Sequence, residues 1–215
     1  MKRRTFLAGA TTLVLASAAR LGIGTKLASA GRSTPMVAEE TDSLAARTKR
    51  ILVTYATRCG STAEIANAVA EQMSAGRCTV DILPIKDVKD VRGYDAVVIG
   101  SAVRMGRLLS EARKRPAKWA ADLAAIPTAY FCVSMTMQDD TPESRAEAQA
   151  FLQPLAEIRE PVATGLFAGA IDHEQLSPLL RFFAKSAETL SECDHRDWNA
   201  IQAWADTTAD VLLTA

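Results

Sequence analysis

The residues best placed to do chemistry are Thr57-Arg58-Cys59-Gly60-Ser61-Thr62, between an apolar run at Ile51–Tyr55 and a helical pattern opening at Ser61. Three hydroxyls, a glycine that lets the backbone approach a ligand, and the free N–H groups of a helix start together make an anion site suited to a phosphate. No Gly-Lys-Ser/Thr closes the loop and no lysine lies in it, so it is not a nucleoside-triphosphate loop. A hydroxyl-rich cradle of this kind suits the single terminal phosphate of a mononucleotide.

Other reactive side chains offer less. Cys59, Cys78, Cys132 and Cys193 form no Cys-x-x-Cys pair and no Cys/His cluster, so no metal or dithiol centre is expected. Cys78 and Cys132 fall in apolar runs and read as small buried hydrophobes. His173 and His195 stand in loop-like contexts distant from each other in sequence, and they form no catalytic carboxylate–His constellation, so surface roles are expected of them. Arg58 either neutralises a phosphate or is a solvated loop charge. Arg104, in a small and apolar turn, either faces developing negative charge or a substrate carboxylate, or pairs with a surface acid.

The elements that must position these groups alternate along the chain. Apolar runs at Ile51–Tyr55, Cys78–Leu83, Ala96–Ser101, Thr128–Ser134 and Val162–Ala170 predict five strands. Helical patterns lie at Ser61–Ser74, at Leu108–Ala124 with a break at Pro116, at Pro142–Ile158 and at about Asp197–Leu213. Ile65, Ala66, Val69, Ala70 and Met73 recur at helical spacing and mark one buried face. Five strands alternating with helices predict an α/β fold, a parallel sheet covered on both faces. Ligands of such sheets sit at the carboxyl ends of strands, where the strand order reverses. The turns after the first, third and fourth predicted strands are therefore where chemistry is expected.

The segment Val53–Val69 resembles the flavodoxin signature. Val53, Tyr55, Thr57, Gly60, Thr62, Ala66 and Val69 stand at the pattern's defined positions, and Thr54 is the one departure. Tyr94–Ser101 followed by Ala102-Val103-Arg104-Met105-Gly106 is similar to the third strand and flavin-flanking loop of one branch of that family, the menaquinone-dependent protoporphyrinogen dehydrogenases. Leu166–Ala170 and Arg196-Asp197-Trp198 extend the similarity, which covers residues 50–215. The resemblance implies a flavodoxin-like three-layer sandwich with strand order 2-1-3-4-5 and FMN as cofactor. Thr57–Thr62 would hold the phosphate, and the ring would lie between Ser101–Gly106 and the turn of Ser134, Met135, Thr136 and Met137. Neither ring-side loop contains an aromatic residue. Met105, Met135 or Met137 would stack there, or serve as core fillers.

The ends of the chain bear on where it works. Lys2, Arg3 and Arg4 precede an apolar run of 15 residues, Thr5–Ala19, and Ala28-Ser29-Ala30 gives a small-x-small cleavage pattern. The run is shorter than the roughly 20 residues that span a bilayer. Arg3-Arg4-Thr5-Phe6-Leu7 resembles a twin-arginine signal. Residues 1–30 are thus expected to be an export signal, 31–49 a linker and 50–215 the domain, placing the protein in the periplasm or cell envelope. The five basic residues of the first 30 leave 20 basic against 25 acidic in the remainder, no footprint for nucleic acid.

The stretch from His173 to Asp194 is longer than a compact flavodoxin needs, and Leu176, Leu179, Leu180, Phe182, Phe183 and Leu190 give it apolar content. It either packs as core or docks a quinone, an apolar substrate or a membrane surface through residues 174–193. The protoporphyrinogen dehydrogenase branch has an insertion there too, more basic and more aromatic, and this departure argues against a porphyrin substrate. The function implied is an FMN-dependent oxidoreductase with a quinone or redox-protein partner. The alternatives are an exported electron carrier and a binding module whose flavin site has decayed.

Overall fold

The computed structural model describes residues 48–171 and 193–215. The expected signal (1–30), most of the linker and the apolar insertion, with His173, lie outside these residues.

Five parallel strands form the sheet: β1 (Arg50–Ala56), β2 (Thr79–Pro84), β3 (Ala96–Arg104), β5 (Thr128–Val133) and β6 (Ala163–Phe167), in the order β2-β1-β3-β5-β6. Counting main strands only, this is the predicted order 2-1-3-4-5. A short β4 (Arg107–Leu108) folds back antiparallel on β3. The helices are α1 (Ser61–Ser74), α2 (Ser110–Lys114), α3 (Ala120–Leu123), α4 (Pro142–Phe151), α5 (Gln153–Ala156) and α6 (Trp198–Thr214). A small ribbon pairs β7 (Ala170–Ile171) with β8 (Cys193–Asp194).

The strands read as continuous apolar runs because both faces are covered. Ile51, Val53, Ala96 and Val98 point into one core with the inner faces of α1 and α6. Leu52, Val97, Ile99 and Tyr130 point into the other, with Leu109, Leu123, Leu152 and Leu155 from the α2–α5 side. The first core tightens around Phe131, whose ring lies 5.9 Å from both Phe167 and Trp204. That ring crosses directly over Gly100, where an added Cβ would sit 2.0 Å from Phe131 Cζ. Glycine at position 100 is therefore a packing requirement of the central strand.

Several predicted boundaries move for identifiable reasons. The expected helix Leu108–Ala124 begins at Ser110, and Pro116 opens a 3-10 turn (Pro116–Trp119) that breaks it. Pro142–Ile158 divides at Leu152 because Pro154, in the first turn of α5, has no N–H to continue the ladder. The expected strand Val162–Ala170 stops at Phe167, and Ala170 then leaves the main sheet to pair with Asp194.

Candidate functional site

Ala56, Ser101 and Cys132 stand in one register row across β1, β3 and β5. β1 ends at this row and β5 one residue beyond it, whereas β3 runs three residues further to Arg104. The order reverses between β1 and β3, so their carboxyl ends border the crevice where such sheets bind ligands.

The turn after β1 is shaped by Gly60, whose φ of +91° favours a residue without Cβ. Thr57 Oγ1 accepts the Gly60 N–H at 3.1 Å, and the Gly60 carbonyl accepts from the N–H groups of Ala63 and Glu64 at 2.7 and 3.1 Å. Ser61 and Thr62, the first two residues of α1, keep N–H groups with no intrahelical acceptor. Thr62 is fully buried, and its Oγ1 has no partner among the described residues. Gly169, beyond β6, closes the same region: a Cβ on it would stand 3.9 Å from Ser61 Oγ.

The segment Ser101–Gly106 was expected as a loop and is instead a β-hairpin. β3 continues through Arg104, Met105 and Gly106 form a two-residue turn with φ of +51° and +68°, and Arg107 returns opposite Arg104. Positive φ at both positions is the pattern of a type I′ hairpin turn. Ser101 is buried, and its hydroxyl accepts from the Leu109 N–H at 3.1 Å and donates to the Ala102 carbonyl at 2.8 Å. That side chain holds the hairpin. Ala102 and Val103 are half-buried, Arg104 and Gly106 are exposed, and Met105 at the tip is 92% exposed.

After β5, Ser134 is extended and its N–H donates to the Phe167 carbonyl at 3.0 Å, while its buried hydroxyl has no partner among the described residues. A 3-10 turn (Met135–Gln138) follows. Met135 and Thr136 are half-buried, whereas Met137 is buried in the core on the α4 side. Met137 is thus a core filler, and Met105 and Met135 remain the methionines with accessible surface at the site.

Charges tie the turns together. Arg58 pairs with Glu111 of α2 at 2.8 Å, an ion pair that neither of the roles expected for it included. The Glu111 carboxyl is held below its ordinary range by its own backbone N–H, then by the Ser110 hydroxyl and the Arg58 guanidinium. Arg196 joins Asp194 and Glu64 and lies 4.6 Å from the Trp198 ring centre, so it anchors the chain after β8 to the first turn of α1. Cys78 and Cys132 are buried free thiols, as expected, and Cys59 is a half-buried free thiol in the cradle. Burial pushes the Cys132 thiol up to about 12. His195 is exposed, and no group of metal-ligating side chains occurs among the described residues.

Four buried side-chain nitrogen or oxygen atoms lack a partner among the described residues, and two of them are Thr62 Oγ1 and Ser134 Oγ. Both belong to the turns beside the crevice. Buried hydroxyls without partners are disfavoured, and their concentration here matches a ligand with hydrogen-bonding groups. Sequence reading identified both turns. It missed Gly169, and it missed Arg107 and Arg113, which join Arg58 and Arg104 around a cleft beside the hairpin. The run Arg-Met-Gly-Arg was the available signal for the hairpin, hidden because Met rarely occupies the first position of such a turn.

The relationships of the chain agree with this geometry. The sequence profile of the flavodoxin domain matches residues 52–193. Protoporphyrinogen IX dehydrogenase [quinone] of Escherichia coli is 25% identical over 169 residues, covering 73% of this chain and 92% of that protein. The protein of the same name from Leishmania major is 24% identical over 184 residues, covering 79% of each. Among solved structures, oxidised Flavodoxin 2 from Bacillus cereus covers 75% of this chain and 99% of its own, at 19% identity and a TM-score of 0.50. Strand order, the turn after β1 and the matched profile agree, and the chain belongs to the flavodoxin domain family.

Proposed function

We propose that this protein is an FMN-dependent oxidoreductase that passes electrons through a bound flavin to a quinone. The observation that carries the reading is the pair of partnerless buried hydroxyls, Thr62 Oγ1 and Ser134 Oγ, at turns flanking the switch-point crevice. Thr57, Ser61 and Thr62, with the free N–H groups of α1, suit the phosphate, while Arg58 beside them is paired with Glu111. The hairpin of Ala102–Gly106 and the turn of Ser134–Thr136 suit the two sides of the ring. Bound there, the flavin would supply two-electron chemistry, and the protein supplies binding, orientation and exclusion of water. The two relatives named as quinone-linked dehydrogenases support a quinone as acceptor.

The carrier reading loses ground at the rim. A protein that docks partners through acidic side chains would show carboxylates there, and the cleft beside the hairpin holds four arginines instead. Twin-arginine export of a folded, flavin-loaded protein is part of the proposal and draws on Arg3-Arg4 and the apolar run after them. The apolar residues around Phe182 and Phe183 are proposed to bring the quinone or a membrane surface to the flavin. The ribbon of β7 and β8 makes their segment depart and return at one point.

Anaerobic stopped-flow spectroscopy tests the reading. Flavin-loaded protein, reduced with dithionite, is mixed with a menaquinone analogue or with a soluble one-electron acceptor. Rapid saturable reoxidation by the quinone is expected. Polar replacement of Phe182 and Phe183 should slow the quinone reaction while sparing flavin content and the one-electron reaction. Reoxidation by quinone at only the rate of free reduced FMN would refute the oxidoreductase assignment.

A further inference from the structure

Beside the hairpin lies a cleft of about 500 Å³ whose lining includes Arg58, Arg104, Arg107 and Arg113 and no carboxylate. It shares Arg104 and Met105 of the hairpin with the space assigned to the flavin ring, and none of its lining residues comes from the Ser134–Thr136 turn, so the two spaces meet at the hairpin. Met105, Leu108 and Leu109 give it an apolar wall.

Two of the arginines have structural partners: Arg58 binds Glu111, and Arg113 Nε donates to the Leu108 carbonyl at 3.1 Å. Arg104 and Arg107 make no ion pair within 4 Å among the described residues, and both are exposed. They also stand directly opposite each other across the hairpin, where like charges destabilise strand pairing. The turn between them places Met105 at positive φ, which disfavours a residue with a Cβ, and exposes its side chain almost completely. The hairpin therefore breaks three local preferences at once: charge pairing, backbone conformation and burial. Such conflicts concentrate at functional sites.

We infer that Arg104 and Arg107 form a specificity subsite for an organic anion, an apolar or aromatic body carrying a negatively charged group, and that Met105 and the apolar wall receive the body. Arg113 behind them raises the local positive potential, whereas the charge of Arg58 is offset by Glu111. A cleft of this volume is within the ordinary range for small ligands. The inference deepens the flavin reading by giving the charge class of the molecule that meets the flavin.

Naphthalene-2-sulfonate and its neutral counterpart naphthalene-2-sulfonamide form a matched pair of probes. Titration calorimetry on flavin-loaded protein at low salt should show the sulfonate binding and the sulfonamide binding more weakly. Arg107→Gln should weaken the sulfonate about fivefold to tenfold, the loss of one partly exposed charge-assisted hydrogen bond. It should leave the sulfonamide unchanged. In a kinetic arm, two electrons and two protons pass from reduced flavin to 1,4-naphthoquinone-2-sulfonate, yielding oxidised flavin and the hydroquinone. Arg107→Gln should raise the half-saturating concentration for that quinone and not for unsubstituted 1,4-naphthoquinone.

Equal sulfonate affinity in the wild type and in Arg107→Gln and Arg107→Glu variants would overturn the subsite. Binding of a polyglutamate peptide but not of the sulfonate, abolished by Arg107→Glu, would overturn it in favour of an acidic protein partner. Apoprotein that holds no FMN yet binds the sulfonate through Arg107 would retain the subsite and remove the flavin reading, so the two failures are distinguishable.

Discussion

Two buried threonines, eight residues apart, should respond with opposite sign to the same substitution. Thr62 is fully buried with a partnerless Oγ1, whereas Thr54, equally buried, donates its hydroxyl to the Leu83 carbonyl at 2.9 Å. Valine is close in shape to threonine and lacks only the hydroxyl. A buried polar group left unsatisfied costs about 1–3 kcal/mol, so Thr62→Val should stabilise the apoprotein by about 1 kcal/mol at the low end. In a domain of this size that raises the melting temperature by about 2–4 °C. Thr54→Val removes a made hydrogen bond and should destabilise by about 0.5–1.5 kcal/mol. Flavin binding reverses the ranking. A hydroxyl donating to a phosphate is a charge-assisted bond of about 1.5–3 kcal/mol, so Thr62→Val should weaken FMN binding roughly 10- to 150-fold. Thr54→Val should leave it unchanged. Thermal melts of the apoproteins and titrations following flavin fluorescence quenching measure both quantities. Destabilised apoprotein with unaltered FMN affinity in Thr62→Val would refute the cradle.

Gly100→Ala should destabilise by about 1–3 kcal/mol or prevent folding, because overpacking must displace a ring already wedged between Phe167 and Trp204; denaturant titration measures it, and a neutral result would contradict the packing. Iodoacetamide at pH 8 followed by peptide mass spectrometry should label Cys59 and spare Cys78 and Cys132 until the chain unfolds. The Cys132 thiol, pushed up to about 12 by burial, is neutral at that pH, and Cys78 is also raised by burial. Fast labelling of Cys132 in folded protein would show that its strand opens. Lys-Lys in place of Arg3-Arg4 should retain the precursor in the cytoplasm on fractionation and immunoblotting; normal export would refute the twin-arginine proposal.

The layered fold was legible because burial on both faces of the sheet writes each central strand as an unbroken apolar run, as in Ala96–Ile99 and Thr128–Val133. The cradle was legible because its demands fall on neighbours in sequence: a glycine for positive φ, hydroxyls beside it and a helix immediately after. The hairpin was not, because Met105 stands where Asn, Asp or Gly would announce the turn. Nor was the approach of Gly169 to Ser61, which depends on the segment after β6 reaching the start of α1, far away in sequence. The arginine cleft gathers residues from the turn after β1, the hairpin and α2, so no local motif marks it. Arg58 shows a further limit: its type suited a phosphate, and only the fold brought Glu111 within 2.8 Å.

The most direct measurement is the absorption spectrum of protein incubated with FMN or FAD and then freed of unbound flavin by gel filtration. One phosphate cradle and one crevice call for one FMN per chain, with a flavin band perturbed from that of free FMN, and little retention of FAD. The Thr62→Val variant should lose FMN on the same column. A colourless wild-type protein, or one that keeps FAD as well as FMN and is indifferent to Thr62→Val, would contradict the assignment of the Thr57–Thr62 turn as a flavin phosphate site.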